Sequence, residues 1–329
     1  MRRSAWDIAV VVALLLFVVV AGQTIDGFGT ARFWRFVALE VVPVAVIALP
    51  LALVVITGEI DLSVASVVGL TCTVFGKLWA VGVTSLPLLI VACLVLGAVL
   101  GAVNGVFVTV FGLPSLAVTI GTLALYRGLA YVVLGDKAVA DYPVSWTSNA
   151  IAPIPGLTIP WMVLVVLAVA VVLGVVLHAT PIGRGLYAIG NNDEASAFAG
   201  IRVARTKFWL FVLTGAMSAL AGVFWTFRFA SARADNATGL ELAVVAAVLL
   251  GGVSIFGGRG GLVGVLAAVV LLATMRNALQ LADVPANTLT IVTGTLLIAS
   301  VVGPNLVTLT RDGLRRRRTK ALALKGASP

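Results

Sequence analysis

The sequence predicts an all-α polytopic membrane protein with about ten transmembrane helices. Of its 329 residues, 61% are hydrophobic and only 11% are charged, and the mean hydropathy is +1.15. A soluble domain averages about 45–50% apolar and about 25% charged residues, so this composition excludes a soluble enzyme, a nucleic-acid-binding domain and a disordered protein. The apolar runs are continuous and about 20 residues long, which indicates helices rather than the alternating strands of a membrane β-barrel.

Ten apolar runs of membrane-spanning length follow one another along the chain. The first comes after Arg2 and Arg3, as in a secretory signal, but no convincing small-residue cleavage site follows it, so we interpret it as an uncleaved helix. The predicted spans are 5–22, 37–57, 62–82, 86–111, 114–134, 159–178, 206–228, 240–257, 261–282 and 286–303. They form one transmembrane domain, 1–310, and a basic tail, 311–329, follows it.

Lysine and arginine residues indicate the orientation of the spans. If the N-terminus is inside, fourteen of the 22 basic residues fall on inside segments and five on outside segments. The positive-inside rule therefore predicts that both termini are cytoplasmic, which agrees with an even number of spans. The longest inside segment is the loop 179–205. The longest outside segment, 135–158, contains three prolines and is interpreted as an ordered external cap.

A weak internal similarity predicts two inverted halves of five spans each. The run PSLAVTIGTL begins at Pro114, and the related run PANTLTIVTGTL begins at Pro285. Each run follows a helix of small residues that carries an asparagine, Asn104 in one half and Asn277 in the other. An offset of five spans inverts the second copy, and inverted repeats are typical of transporters that handle substrate at the repeat interface. Chance similarity between two apolar segments is the alternative.

The sequence contains no catalytic or metal-binding constellation. The single Gly-Lys pair, Gly76-Lys77, lacks the first glycine and the Ser/Thr of a nucleotide-binding loop. Cys72 and Cys93 lie inside apolar runs without metal-ligand spacing, and His178 is the one histidine. We therefore expect no enzymatic activity, no cofactor and no bound metal.

Polar residues that interrupt the apolar runs are the candidates for a substrate pathway. They are Glu59, Asp61, Asn104, Thr119, Thr122, Arg127 and Asn277. Asp61 could cap the third helix, line a polar cavity, or do both. A charge within a span should face protein or water, so Arg127 could pair with an acid such as Glu40 or line the pathway, and Arg276 poses the same choice.

The inside loop 179–205 is predicted to contain a short helix near residues 192–200. Asn192 can cap this helix, the two acidic residues after it suit a first turn, and Gly200 can end it. Its apolar face, at i, i+3 and i+4 spacing, consists of Ala195, Phe198 and Ala199. Such a helix on the cytoplasmic side is typical of a docking element for another protein, and a helix lying on lipid is the alternative.

Three stretches resemble the membrane permease subunits of ATP-binding-cassette importers for monosaccharides, of the ribose, xylose and rhamnose type. GEIDLS at 58–63 is similar to the family's Gly-Gly-Ile-Asp-Leu-Ser and departs from it at Glu59. The stretch 183–201 is similar to the family's cytoplasmic loop, and the glycine-rich stretch 248–260 to the end of its eighth span. The likeness covers about residues 37–303. The sequences RFASAR at 228–233 and LADVP lean toward the rhamnose and autoinducer-2 branches.

This resemblance implies a permease of the bacterial inner membrane, working as a homodimer or with a similar second permease. It implies an external sugar-binding protein and two cytosolic ATPase subunits, which bind the ATP. The residues that it places against the ATPase are Gly190, Asn191, Asn192, Glu194, Ala195, Phe198 and Gly200. Two alternatives are a branched-chain amino acid permease, which lacks the Gly-x-Ile-Asp-Leu-Ser pattern, and a membrane enzyme, which would need a catalytic constellation. The predicted contacts also include membrane lipid, but no nucleic acid.

Overall fold

The computed structural model describes residues 3–285, together with residues 288, 291, 294, 295 and 298. This part of the chain forms twelve α-helices and no β-strand. The helices are α1 (Arg3–Thr24), α2 (Ala31–Ile56), α3 (Val64–Ala80), α4 (Leu86–Thr109), α5 (Ser115–Leu134), α6 (Val144–Ala150), α7 (Met162–Ala179), α8 (Pro181–Asn191), α9 (Asp193–Phe198), α10 (Val203–Phe229), α11 (Leu240–Leu250) and α12 (Leu262–Leu281). The predicted tail, 311–329, and all but five residues at 286–303 lie outside the described residues.

Seven of the described helices, namely α1, α2, α4, α5, α7, α10 and α12, are long and apolar enough to cross a membrane. The shorter apolar helices α3, of 17 residues, and α11, of 11 residues, coincide with the predicted third and eighth spans. Every predicted span before the tenth therefore corresponds to an apolar helix. The all-helical class is confirmed, and the total of ten spans stays a prediction.

The predicted eighth span, 240–257, is wrong in its second half, because α11 already ends at Leu250. The residues that follow form a glycine-rich turn. Gly252, Gly257 and Gly258 have φ of +89°, +79° and +71°, a left-handed backbone that glycine adopts without a steric penalty and that ends a helix. This turn brings the Gly258 N–H to the carbonyl oxygen of Ile56, at 2.9 Å.

Helix α2 lies at the centre of the bundle. All its residues from 45 to 56 are buried, and it contacts α7, α8, α10, α11 and α12. Pro43 and Pro50 lie inside this helix, where neighbouring elements can satisfy the freed backbone groups. In contrast, α1, α4 and α7 leave large apolar side chains exposed, among them Leu16, Val95 and Val171. Exposed apolar faces on helices of this length indicate contact with lipid.

Helices α4 and α10 approach each other closely through glycine. Gly97, Gly101 and Gly105 recur every four residues on α4 and face α10. A Cβ at Gly97 would overlap with the backbone of Gly215, and a Cβ at Gly101 would overlap with that of Phe211. Membrane helices associate through such small-residue stripes because lipid offers no hydrophobic drive for their contact.

The helix pairings follow a recurring pattern. Helix α4 packs against α10, and α12 packs against α2. Helix α3 contacts α4 and α10, while α11 contacts α12 and α2. In the order of the predicted spans, α3 and α11, α4 and α12, and α2 and α10 are each five spans apart, so every one of these contacts has a counterpart between helices offset by five spans.

Candidate functional site

Helices α2 and α3 are separated by a short non-helical segment, residues 57–63, which we call the break. The backbone of the break is hydrogen-bonded to side chains of α5. The Ile60 N–H donates to Ser115 Oγ at 3.1 Å, and Thr119 Oγ donates to the Ile60 carbonyl at 3.2 Å. A non-helical backbone buried in a helical bundle needs hydrogen-bond partners within the protein, because a buried peptide group without a partner is costly. Ser115 and Thr119 supply these partners, so their hydroxyls hold the break in place.

Asp61 is 1% exposed and lies at the centre of a buried polar chain. Its Oδ1 accepts hydrogen bonds from Ser63 N at 2.9 Å and Ser63 Oγ at 2.6 Å, and Asn104 Nδ2 donates to the same Ser63 Oγ at 2.8 Å. The predicted cap role is wrong: α3 begins at Val64, so Ser63 holds the N-cap position, and the amide that Asp61 accepts precedes the helix. Burial raises the pKa of Asp61 to about 6, although the Ser63 hydrogen bonds act to lower it.

The candidate pathway residues fall into separate groups. Glu59, Asp61, Asn104 and Thr119 lie at or against the break, and Thr122 donates to the Thr119 carbonyl at 3.4 Å. The structure thus brings together the candidate pathway residues of the first half of the chain, except Arg127. Asn277 belongs to a cluster near the other end of α2.

Arg127 bonds to backbone carbonyl oxygens and is not the partner of Glu40. Its guanidinium donates to the carbonyl oxygens of Ala234 at 2.6 Å, Asn236 at 2.8 Å and Ala65 at 3.1 Å. Pairing with Glu40 is wrong because the carboxylate of Glu40 is engaged elsewhere. Arg276 Nη1 lies 3.5 Å from Glu40 Oε1, and Asn277 Nδ2 donates to Glu40 Oε2 at 2.7 Å. Of the two arginines, only Arg276 has the predicted acidic partner.

The loop 179–205 contains two helices, α8 and α9, of which only α9 was predicted. Asn192 caps α9: its side chain accepts from the Ala195 N–H at 2.8 Å. Gly200 follows the helix with φ +85°. Phe198 is 93% exposed, and its neighbours on the predicted apolar face are exposed too. Helix α9 therefore presents a free apolar face, with a phenyl ring that nothing in the described chain covers.

Helix α8 joins α9 to the core of the bundle. Gly190, near its end, packs so closely on Ile56 and Gly258 that a Cβ would overlap with both backbones. Tyr187 OH donates to the Gly260 carbonyl at 2.7 Å, and the Asn191 side chain donates to the Tyr187 carbonyl at 2.8 Å. The C-terminal ends of α2 and α8 therefore contact each other, and the glycine-rich turn after α11 contacts both.

Lys207, in the second turn of α10, is the residue that sequence reasoning missed. Its ammonium pairs with Glu59 at 2.7 Å and also with Asp193, the first residue of α9. The Lys207 side chain is 9% exposed, against 16% for Glu59 and 48% for Asp193. One buried cation thus bonds the α2–α3 break to the α9 helix, and we call these three residues the lysine triad. A lysine just inside a predicted span, with acids in two nearby inside segments, was the available signal.

The fold and the site define a class: a helical membrane permease whose exposed short helix is bonded to a polar break in its core. The chain belongs to the family described as "Branched-chain amino acid transport system / permease component", whose model matches residues 34–301. It is therefore a multi-pass membrane permease, the transport component of an ATP-binding-cassette system. The predicted family resemblance is confirmed.

Several bacterial proteins are similar to this chain along nearly its whole length. The chain is 32% identical, over 307 residues, to the "Autoinducer 2 import system permease protein LsrD" of Escherichia coli strain SMS-3-5 / SECEC, which covers 92% of both chains. The proteins of the same name from Escherichia coli K12 and Shigella flexneri match with the same identity and coverage. No solved structure matches the chain significantly.

Proposed function

We propose that this chain is the permease subunit of an importer in the bacterial inner membrane that carries a monosaccharide or a related furanose. The name of its relatives, autoinducer-2 import permeases, supports the furanose. A pentose, or a deoxyhexose such as rhamnose, rests on the sequence resemblance alone. The partners in this proposal are cytosolic ATPase subunits, an external binding protein and a second permease subunit.

The proposed transport path lies between two inverted halves of five spans. The recurrence of helix pairings supports this arrangement, because the contacts of α3 and α4 with α10 correspond to the contacts of α11 and α12 with α2, and each of these contacts joins the two halves. Asn104 and Asn277, which lie in the helices that precede the two similar runs, each donate to a polar cluster, one near each end of the bundle. With both termini inside, α9 lies on the cytoplasmic side and Asn277 toward the outside.

One observation carries the proposal most directly: α9 is exposed on its apolar face and is bonded through Lys207 to Glu59 in the α2–α3 break. An element of this kind can transmit movement between an ATPase docked on Phe198 and the break at Glu59. Phe198→Asp should therefore leave the permease folded in the membrane but separate it from its ATPase. A carboxylate in an apolar docking surface adds a desolvation cost of several kcal/mol unless it is paired.

The test is co-purification of the ATPase with tagged permease, together with uptake of labelled sugar. Val144→Asp is a matched control, because Val144 is 79% exposed in the predicted external segment and lies outside the docking helix. We expect the control to retain the ATPase and the Phe198 variant to lose both the ATPase and uptake. Normal co-purification of Phe198→Asp would show that α9 lies on lipid instead.

Import of a branched-chain amino acid is the second candidate, because the family description names that substrate class. The two candidates differ in a direct measurement. Cells that express the complete transporter should accumulate labelled ribose or autoinducer-2. An excess of unlabelled leucine should not compete with this uptake. Leucine uptake without sugar uptake would reverse the assignment.

A further inference from the structure

A cavity of about 350 Å³ opens near the end of the bundle opposite α9. Polar side chains of α2, α10 and α12 line it beside two aromatic rings of α10; we call it the outer cavity, lined by Glu40, Arg228, Arg276, Asn277, Trp225 and Phe229. Glu40 precedes Ile56 by 16 residues on α2, which corresponds to about 24 Å along the helix axis. The outer cavity is therefore remote from the break and the lysine triad, and has the size of a small-ligand site.

The polar groups of the outer cavity are held in one arrangement by their mutual bonds. The Glu40 carboxylate accepts from Asn277 and faces Arg276, so its charge is already compensated. Arg228 donates to the Leu39 carbonyl at 2.9 Å. A guanidinium has five N–H groups, and this is the one bond that Arg228 donates to a described residue, which leaves donors available to a ligand. The cavity thus offers donors and acceptors side by side without a free negative charge.

An aromatic surface completes the lining. The ring centroids of Trp225 and Phe229 lie 5.2 Å apart. The Arg228 guanidinium carbon lies over the Phe229 ring, 4.9 Å from its centroid. Both rings, with Ala243 and Arg276, also line a second cavity of about 860 Å³ beside the first. Ligand sites commonly combine such apolar faces with a few fixed polar groups that set orientation.

We propose that the outer cavity binds a neutral polyhydroxylated ring, with an apolar ring face on Trp225 and hydroxyls on Glu40, Arg228 and Asn277. A hydroxyl donates and accepts at once, so neighbouring hydroxyls match an array in which carboxylate and amide oxygens alternate with guanidinium N–H groups. The Glu40 carboxylate, already paired with Arg276, leaves no free counter-charge for an ammonium group. This inference rests on the proposed function and names the site at which the imported sugar first binds to the permease.

Ala243→Cys provides the test, because Ala243 is partly exposed and lines both cavities, while Cys72 and Cys93 are buried. Spheroplasts that express the complete transporter, with the purified external binding protein added back, are treated with a membrane-impermeant maleimide. Ribose or autoinducer-2 should slow the labelling severalfold, whereas ribose 5-phosphate and leucine should not. Val144→Cys, an exposed position in the predicted external segment that lines neither cavity, is the control: it should be labelled at a rate that is insensitive to all four compounds.

Uptake measured in the same spheroplasts separates the two possible failures. Sugar uptake without protection of residue 243 would overturn the cavity assignment and leave the proposed function intact. Protection by leucine or by ribose 5-phosphate would overturn the ligand class. Leucine uptake with no sugar uptake would overturn the proposed function, and this inference with it.

A second variant fills the cavity without removing its polar groups. Ala243→Trp should raise the KM for sugar uptake severalfold, or abolish uptake, while membrane abundance and ATPase co-purification stay normal. Ala98→Trp, at a partly exposed position on α4 that lines neither cavity, is the matched control and should transport normally. Unchanged sugar kinetics in Ala243→Trp, at normal abundance, would contradict the proposal.

Discussion

Replacing Lys207 with methionine should destabilise the permease strongly, because it leaves Glu59 without its cation. The Glu59 side chain is 16% exposed, and removal of one partner from a buried pair costs about 3–5 kcal/mol. Asp193 is 48% exposed and stays hydrated, so its share is about 0–1 kcal/mol. At about 2 °C per kcal/mol, the loss corresponds to a Tm lower by roughly 6–10 °C.

The assay is thermal unfolding of the detergent-purified permease, together with its abundance in membranes. The double variant Lys207→Met/Glu59→Gln removes both buried charges and should recover most of the loss, while Asp193→Asn alone should stay within about 1 kcal/mol of the wild type. A Lys207→Met protein as stable as the wild type would refute the reasoning. So would a double variant no more stable than the single one.

Three further predictions concern other contacts of the core. Gly190→Ala should lower membrane abundance sharply, because its Cβ would overlap with the Ile56 carbonyl, whereas Gly174→Ala, with open space around it, should be normal; equal abundance would refute the close contact. Arg127→Lys cannot keep three carbonyl bonds in one fork and should lower the free energy of unfolding by about 1.5–3 kcal/mol, measured in detergent; an unchanged value would mean that the fork contributes nothing. Because the pKa of Asp61 is about 6 when folded, against an ordinary value of 3.8, folding binds a proton and stability falls as the pH rises from about 3.8 to about 6. Asp61→Asn should therefore gain roughly 1–1.5 kcal/mol relative to the wild type between pH 5 and pH 7.5, and a constant difference would argue against the raised pKa.

The helices and their order could be predicted because apolar runs of about 20 residues carry a strong signal. The end of α11 could not be placed, since Val253, Ile255 and Phe256 continue the apolar run through the turn. Only the left-handed glycines distinguish turn from span, and hydropathy does not register them. Helix α8 was missed because its 11 residues, interrupted by glycine, carry no long apolar run.

Within the site, local signals were predictable and long-range partners were not. Asn192 and Gly200 bracket α9 as predicted, because capping depends on residues a few positions apart. The acceptors of Arg127 are backbone carbonyls in another part of the chain, which leave no mark on the side-chain sequence. The resembled family has glycine at the position of Glu59, so its pattern gives no indication of an ion pair there. The ion pair of Glu59 with Lys207 now leads us to expect a measurable cost for Glu59→Gly.

The glycine stripe between α4 and α10 constrains how an importer of this shape can move. Where backbones are in direct contact, no layer of side chains lies between the helices to take up a relative displacement. In the importer that we propose, α4 and α10 would therefore move together. Asn104 on α4 and Lys207 on α10 both bond to the break, so a displacement of α9 would reach it from two helices at once.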